Sequence, residues 1–388
     1  MPISENKSPG NYAIVPGYQE NPGYGSNRGK LLTLAALTCI VLTGILTAYF
    51  VVSMSKKTPC EKRIAAYFNV DSSEELTESQ LANLTHVIFY PMIIQSDGSV
   101  SFPGRGQQKD KFERLAALAR NSSVKTMISM AMGGSMAETA ADPNKRKVLL
   151  DSVNTFVQEN SLDGVDIFWK WPETERDHSN LITLARELRE KLPKPYIISQ
   201  LVPPSPKQLD LQKEMSEFVD FLNVDVDHYF GVKFYENNYN WPEKTDKTMQ
   251  KYFCQMEDIN KLNMVFSAVG VTYDNINGRE LTTEPARSGW HFWRNLKRHG
   301  WDVSRASWNN KTNTPYIWNQ NRRTYLAFEN ERSLAEKVKY VMDRNIGGMT
   351  FYEINSDDDE NTMLNVIATA RQCAGRSSNS IKFDCDGI

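Results

Sequence analysis

Apolar residues fall into one unbroken block near the start of the chain and, beyond it, into short runs that alternate between two periodicities. The block lies between Lys30 and Lys56 and carries no charge. At helical rise, Leu31 to Met54 is long enough to cross a hydrocarbon core about 30 Å thick, so a transmembrane helix is predicted there. Residues 1–30 precede it and no small-x-small site follows it cleanly, which favours an uncleaved signal anchor over a cleaved signal peptide. Those first thirty residues are rich in Gly, Pro, Asn and Tyr, contain the near repeat Pro16-Gly17-Tyr18 and Pro22-Gly23-Tyr24, and have no apolar periodicity. They read as a disordered cytoplasmic tail, and residues 55–62 as a linker.

From Arg63 onward, β-branched runs alternate with stretches of helical period, the pattern of a parallel sheet with helices packed on its outside. The predicted strands are Arg63 to Asn69, Thr85 to Ile94, Val124 to Met132, Leu162 to Lys170, Tyr196 to Val202, Phe218 to Asp227, Asn263 to Gly270 and Ile346 to Ile354. Between them lie predicted helices at Lys109 to Arg120, Asn144 to Glu159, Thr174 to Lys191, Pro206 to Met215, Glu243 to Leu262 and Ser333 to Arg344. Eight strands is the count of a closed (β/α)₈ TIM barrel, and residues 63–375 are assigned to it. The one oversized gap, about 271–330, is read as a subdomain inserted after the seventh strand; residues 376–388 are a C-terminal tail. The insertion holds Trp290, Trp293, Trp301, Trp308 and Trp318, which are expected to fill a core in preference to lining a groove.

Composition adds exclusions. Basic and acidic residues number 45 and 47, so the electrostatic footprint of a nucleic-acid binder is missing and no nucleic acid is expected as a partner. The five histidines show no HExxH or other ligand spacing, and no metal or cofactor is expected. Cys39 lies within the apolar block; Cys60, Cys254, Cys373 and Cys385 admit three pairings. Cys60 opens the first strand and Cys373 closes the last helix, ends that a barrel brings to one face, so Cys60–Cys373 is the preferred bond. Orientation rests on competing signals. Lys56, Lys57, Lys62 and Arg63 after the helix outnumber Arg28 and Lys30 before it, which favours an outside tail. Three sequons, at Asn83, Asn121 and Asn310, together with four cysteines, place the large C-terminal part in the lumen or outside the cell, and these prevail. The prediction is a single-pass type II membrane protein.

The predicted fourth strand reads Asp163-Gly164-Val165-Asp166-Ile167-Phe168-Trp169-Lys170-Trp171-Pro172 and resembles the D-G-x-D-x-D-x-E signature of the glycoside hydrolase family 18 chitinases. Agreement extends to Tyr67-Phe68, Leu84-Thr85-His86, Ser129 with Gly133-Gly134, and Gly347-Gly348-Met349 with Asp357-Asp358. It covers about Arg63 to Cys373. The Phe-Trp-Lys-Trp-Pro variant further resembles catalytically degenerate nematode chitinase-like proteins with an N-terminal membrane anchor. The resemblance implies a proton-donating Glu and, two residues before it, an Asp that holds the substrate's acetamido group. Here those positions are Lys170 and Phe168. Side chains two apart share a strand face, so Asp166, Phe168 and Lys170 all point to the side that the resemblance identifies as the barrel interior.

The family's sixth-strand M-x-Y-D aligns with Asp225-Val226-Asp227-His228, and its eighth-strand Trp with Tyr352. By the same alternation Asp225 and Asp227 enter the interior with Lys170, and a buried ion-pair network in place of the active site is expected. A cation facing the anomeric centre opposes an oxocarbenium-like transition state, and a phenyl ring cannot orient an acetamide. A catalytically inactive, chitinase-like ectodomain is therefore expected, with Tyr67, Trp171, Asp225, Asp227, His228 and Tyr352 as candidate binding residues for a chitin-type glycan or a protein. Alternatives are a glycoside hydrolase with altered machinery and a protein-interaction module with a filled barrel.

Overall fold

The computed structural model describes residues 62–102, 106–131, 136–170, 172–204, 209–226, 241–275, 287–310, 312–371 and 381–386. The predicted membrane segment lies outside these residues, and among them no helix is long and apolar enough to cross a membrane. In chain order come β1 (Arg63–Asn69), α1 (Glu78–Asn83), β2 (His86–Ile94), β3 (Val100–Ser101), α2 (Gln107–Asn121), β4 (Lys125–Ala131), α3 (Met136–Ala141), α4 (Pro143–Glu159), β5 (Gly164–Phe168), α5 (Glu175–Lys191), β6 (Ile197–Val202), α6 (Leu209–Met215), β7 (Phe221–Val224), α7 (Trp241–Met256) and β8 (Leu262–Phe266). There follow β9 (Val269–Tyr273), β10 (Arg287–Phe292), α8 (Trp293–Leu296), β11 (Ser307–Asn309), β12 (Thr314–Asn319), β13 (Thr324–Ala327), α9 (Glu331–Asp343), β14 (Gly348–Phe351) and α10 (Thr362–Ala368).

Strands β1, β2, β4 to β8 and β14 pair in parallel, and β1 bonds to both β2 and β14, which closes an eight-stranded (β/α)₈ barrel. Between β8 and β14 the chain builds a second, antiparallel sheet in the order β10-β9-β13-β12-β11. The predicted seventh strand, Asn263 to Gly270, thus merges two elements: β8 ends at Phe266, and Val269 already belongs to the inserted sheet. An apolar run continues across the break, so periodicity alone cannot locate it.

Local chemistry explains why the helices start where they do. Thr174 accepts from the Asp177 amide while Asp177 reaches back to the Thr174 backbone, a capping box, and Asn330 with Ser333 repeats it at α9. Asp142 caps α4 with Pro143 at the first turn. Each helix then turns apolar residues toward the sheet, as α5 does with Leu181, Leu184, Ala185 and Leu188, all fully buried. The outward-facing strand residues that meet them, among them Ile64, Ala66, Phe68 and Ile167, form the main core. At two glycines there is no room for a side chain. A Cβ on Gly164 would stand 2.1 Å from the Ile197 carbonyl oxygen, and one on Gly348 2.4 Å from that of Arg63.

Outside the barrel, Cys254 and Cys385 form a disulfide that ties residues 381–386 to α7, and Phe383 packs on Phe253 with the Arg344 guanidinium 4.7 Å from its ring. The predicted Cys60–Cys373 bond involves residues outside the described ones. Of the insertion tryptophans, Trp293 and Trp301 pack beside Leu296, Leu326 and Phe328, and Trp318 beside Tyr273 and Tyr325. Trp290 departs from the expected core role: it is 54% exposed, because β10 is the edge of its sheet.

Candidate functional site at the barrel mouth

Parallel register places Ser129, Asp166 and Ser199 side by side on β4, β5 and β6. Their side chains meet inside the barrel, where Asp166 is fully buried. Its Oδ2 accepts from Tyr67 Oη at 3.0 Å and Ser129 Oγ at 2.8 Å, and its Oδ1 from Ser199 Oγ at 2.6 Å and Asn223 Nδ2 at 3.5 Å. Burial pushes the Asp166 carboxyl upward despite these donors, and raises the Tyr67 phenol well above its ordinary range with the help of the adjacent carboxylate. Polar contacts continue downward. Thr350 Oγ1 and Asn263 Nδ2 donate to Asn223 Oδ1 at 2.7 and 3.3 Å, and Arg63 Nε donates to Asn263 Oδ1 at 3.1 Å. Among the described residues the barrel centre is therefore a hydrogen-bonded network built around Asp166; of the ion-pair network expected there, Asp227 lies outside the described residues.

Above this network four aromatic rings close together. Tyr67, Tyr90, Phe168 and Tyr352 have ring centroids 5.4 to 6.2 Å apart, with the Phe168 ring near-parallel to those of Tyr90 and Tyr352 at 6.2 and 6.0 Å. Phe168 is buried among them, an apolar wall where the family resemblance implies a carboxylate. Lys170 stands one level higher. Its Nζ lies 5.3 Å from the Phe168 ring centroid, 5.1 Å from that of Tyr352 and 3.4 Å from Asp225 Oδ2. β5 ends at Phe168 and β7 at Val224, so Lys170 and Asp225 both sit past strand ends, at the mouth. The alternation argument that sent Lys170 into the interior presumed a strand two residues longer. The Lys170 side chain is 28% exposed, so the ion pair with Asp225 belongs to the rim.

One carboxyl at the mouth has no sequence signal. Glu353, directly after Tyr352, accepts a hydrogen bond from Tyr90 Oη, and burial raises its pKa. The partner lies 263 positions earlier, so only the closed sheet brings them together. Trp171, Asp227 and His228, named as candidates, lie outside the described residues. The two signature positions nearest the base of β5 carry architecture: Asp163 accepts from the Thr126 amide at 2.9 Å and pairs with Lys125 at 2.7 Å, next to the close approach at Gly164. Among the sequon residues, Asn121 and Asn310 are exposed, while Asn83 is half-buried and donates to Asn365 Oδ1 at 3.1 Å. No group of three or more metal-ligating side chains occurs among the described residues.

A closed (β/α)₈ barrel with polar and aromatic residues gathered where the parallel strands end has the architecture of a barrel protein whose site lies at the C-terminal face of its strands. The profile of "Glycosyl hydrolases family 18" matches residues 63–357, and the chain belongs to that family. Chitinase 1 of Aphanocladium album is 20% identical over 356 residues, covering 78% of this chain and 82% of that protein. Chitinase A1 of Niallia circulans is 20% identical over 291 residues; the match covers 61% of this chain and 41% of the relative, so the chain spans less than half of it. Two solved structures share the fold: a family 18 chitinase of Cycas revoluta in complex with (GlcNAc)3 at TM-score 0.69 and 17% identity, covering 79% of this chain and 99% of that one, and a chitinase-like agglutinin of Robinia pseudoacacia at TM-score 0.67 and 18% identity, covering 79% and 98%.

Proposed function

We propose that this chain is a catalytically inactive family 18 protein that binds a chitin-type glycan, displayed outside the cell or in the secretory lumen by the Leu31 to Met54 anchor. The observation that carries the reading is the end of β5, where Phe168 is packed into an aromatic cluster and Lys170 is paired with Asp225. No carboxylate follows Asp166 on that strand, so both functions that the family resemblance assigns there are lost, while the half-buried Tyr352 is the ring of the four left open to stacking on a pyranose. Tyr352 and the rim residue Asp225 are the binding candidates within the described mouth. The Cys254–Cys385 disulfide and the exposed sequon residues Asn121 and Asn310 support an oxidising compartment.

A second reading, a hydrolase with altered machinery, is favoured by Glu353, a half-buried carboxyl at the mouth that holds its proton more readily than an exposed one. One experiment separates them: the purified full chain is applied to a glycan array and incubated with a fluorogenic chitotriose substrate. Retention of chito-oligosaccharides without turnover is expected. Turnover that disappears in Glu353→Gln would establish the second reading instead, and neither binding nor turnover would leave a protein-interaction module with a filled barrel.

A further inference from the structure

His291 and His299, eight positions apart and matching no metal-binding motif, are brought face to face by the inserted sheet. Their Nδ1 atoms stand 2.8 Å apart and their ring centroids 4.9 Å apart. The hydrogen-bond pattern around them allows the tautomers to be worked out. Thr272 Oγ1 donates to the Gly289 carbonyl at 3.3 Å, which commits its proton. Its lone pair is left to accept from His291 Nε2 at 3.2 Å, so Nε2 carries the His291 hydrogen and Nδ1 presents a lone pair. His299 Nδ1–H donates to that lone pair. His299 lies on the exposed turn after α8, and its Nε2 can take up the hydrogen from water, freeing a second Nδ1 lone pair beside the first. Burial, and then the neighbouring His299, hold the His291 pKa below its ordinary value.

We propose that His291 and His299 form a surface site for a divalent transition-metal ion of the Cu(II) class, held by both Nδ1 atoms and completed by water. Two nitrogens 2.8 Å apart, each about 2.0 Å from a common ion, subtend roughly 90° at it. That is the angle between neighbouring ligands in a tetragonal Cu(II) or Ni(II) site. Among first-row divalent ions, imidazole affinity also peaks at copper. The Thr272 hydroxyl, fixed by the Gly289 carbonyl, supplies the outer hydrogen bond that orients a ligating histidine. The ion would tie the edge strand β10 to the turn after α8, beside Trp290 and Trp293.

The test uses the full chain, purified without a histidine tag, and titrated with CuCl₂ at pH 7.4. Tryptophan quenching should saturate at one equivalent, and the low-temperature electron paramagnetic resonance spectrum should show coupling to two nitrogens. His291→Ala and His299→Ala should each weaken Cu(II) binding by at least ~10-fold, and Thr272→Val, which keeps both imidazoles, by about 10-fold. If His291→Ala unfolds, His299→Gln on the solvated partner carries the same comparison. Affinity retained in the His299 variants, or no saturable binding at micromolar Cu(II), overturns the site.

Discussion

Replacing Lys170 by Met and by Glu separates the structural role of the rim cation from the proposed inactivity. The Lys170–Asp225 pair has 28% and 9% of its side chains exposed at 3.4 Å, between a solvated pair, worth about 0–1 kcal/mol, and a buried one, whose rupture costs about 3–5 kcal/mol. Removing the cation should cost about 1–2 kcal/mol through Asp225, and about 0.5–1 kcal/mol through the two rings at 5.1 and 5.3 Å, part of which the Met side chain recovers. Lys170→Met is thus expected to lose about 2 kcal/mol. In Lys170→Glu a second carboxylate stands roughly 5 Å from Asp225; with an effective dielectric constant of about 40 the repulsion adds about 1–2 kcal/mol. At about 2 °C per kcal/mol for a barrel of this size, melting temperatures should fall by roughly 4 °C and 7 °C. The Glu deficit should shrink as pH falls from 7 to 5, because crowded carboxylates take up a proton in the folded state more readily than in the unfolded one. Neither variant should hydrolyse chitotriose, since Phe168 still occupies the acetamide-holding position. A melting temperature for Lys170→Met within about 1 °C of wild type, together with an Asp225→Asn double-mutant coupling below about 0.5 kcal/mol, would refute the pair; turnover by Lys170→Glu would refute the assignment of Phe168.

Further outcomes follow from burial and covalent structure. In a secretory host the chain should carry glycan on at least one of its sequons, with Asn121 and Asn310 modified more fully than Asn83, whose amide is engaged by Asn365; site mapping after deglycosylation checks this, and unmodified protein would place the barrel in the cytosol. Asp166, raised by burial, favours the protonated form in the folded state, so its contribution is fully present below the unfolded carboxyl pKa of about 3.9 and is lost as pH rises through the raised value. Asp166→Asn should remove that slope, so that the variant's melting temperature relative to wild type is higher at pH 7 than at pH 4; parallel curves would contradict a buried titrating acid. Cys385→Ser should release residues 381–386 from α7 and lower stability by about 2–4 kcal/mol, and peptide mapping without reductant should recover Cys254 joined to Cys385.

Much of the barrel could be read from the residues alone, and the reason is local. β1 carries a short apolar run bounded by Arg63 and Asn69, and α5 begins at a Thr-x-x-Asp cap, so element and boundary are written within a few positions. The site was legible only as far as one strand reaches. Asp166 and Phe168 share a face by alternation, as observed, but Lys170 lies past the end of β5, where the rule of alternation no longer applies, and it rises to the rim. Glu353 under Tyr90, and His291 against His299, depend on which strands lie side by side, and no local pattern encodes that. The signature itself divides along the same line. Asp163 and Gly164 are retained and serve the backbone, one clamping β4 and the other admitting the Ile197 carbonyl, while Phe168 and Lys170 have left the chemical pattern without disturbing either contact. Fold and catalysis thus occupy different positions of a single strand. Recognising the first two residues identifies the barrel, and only the identity and surroundings of the last two bear on what it can do.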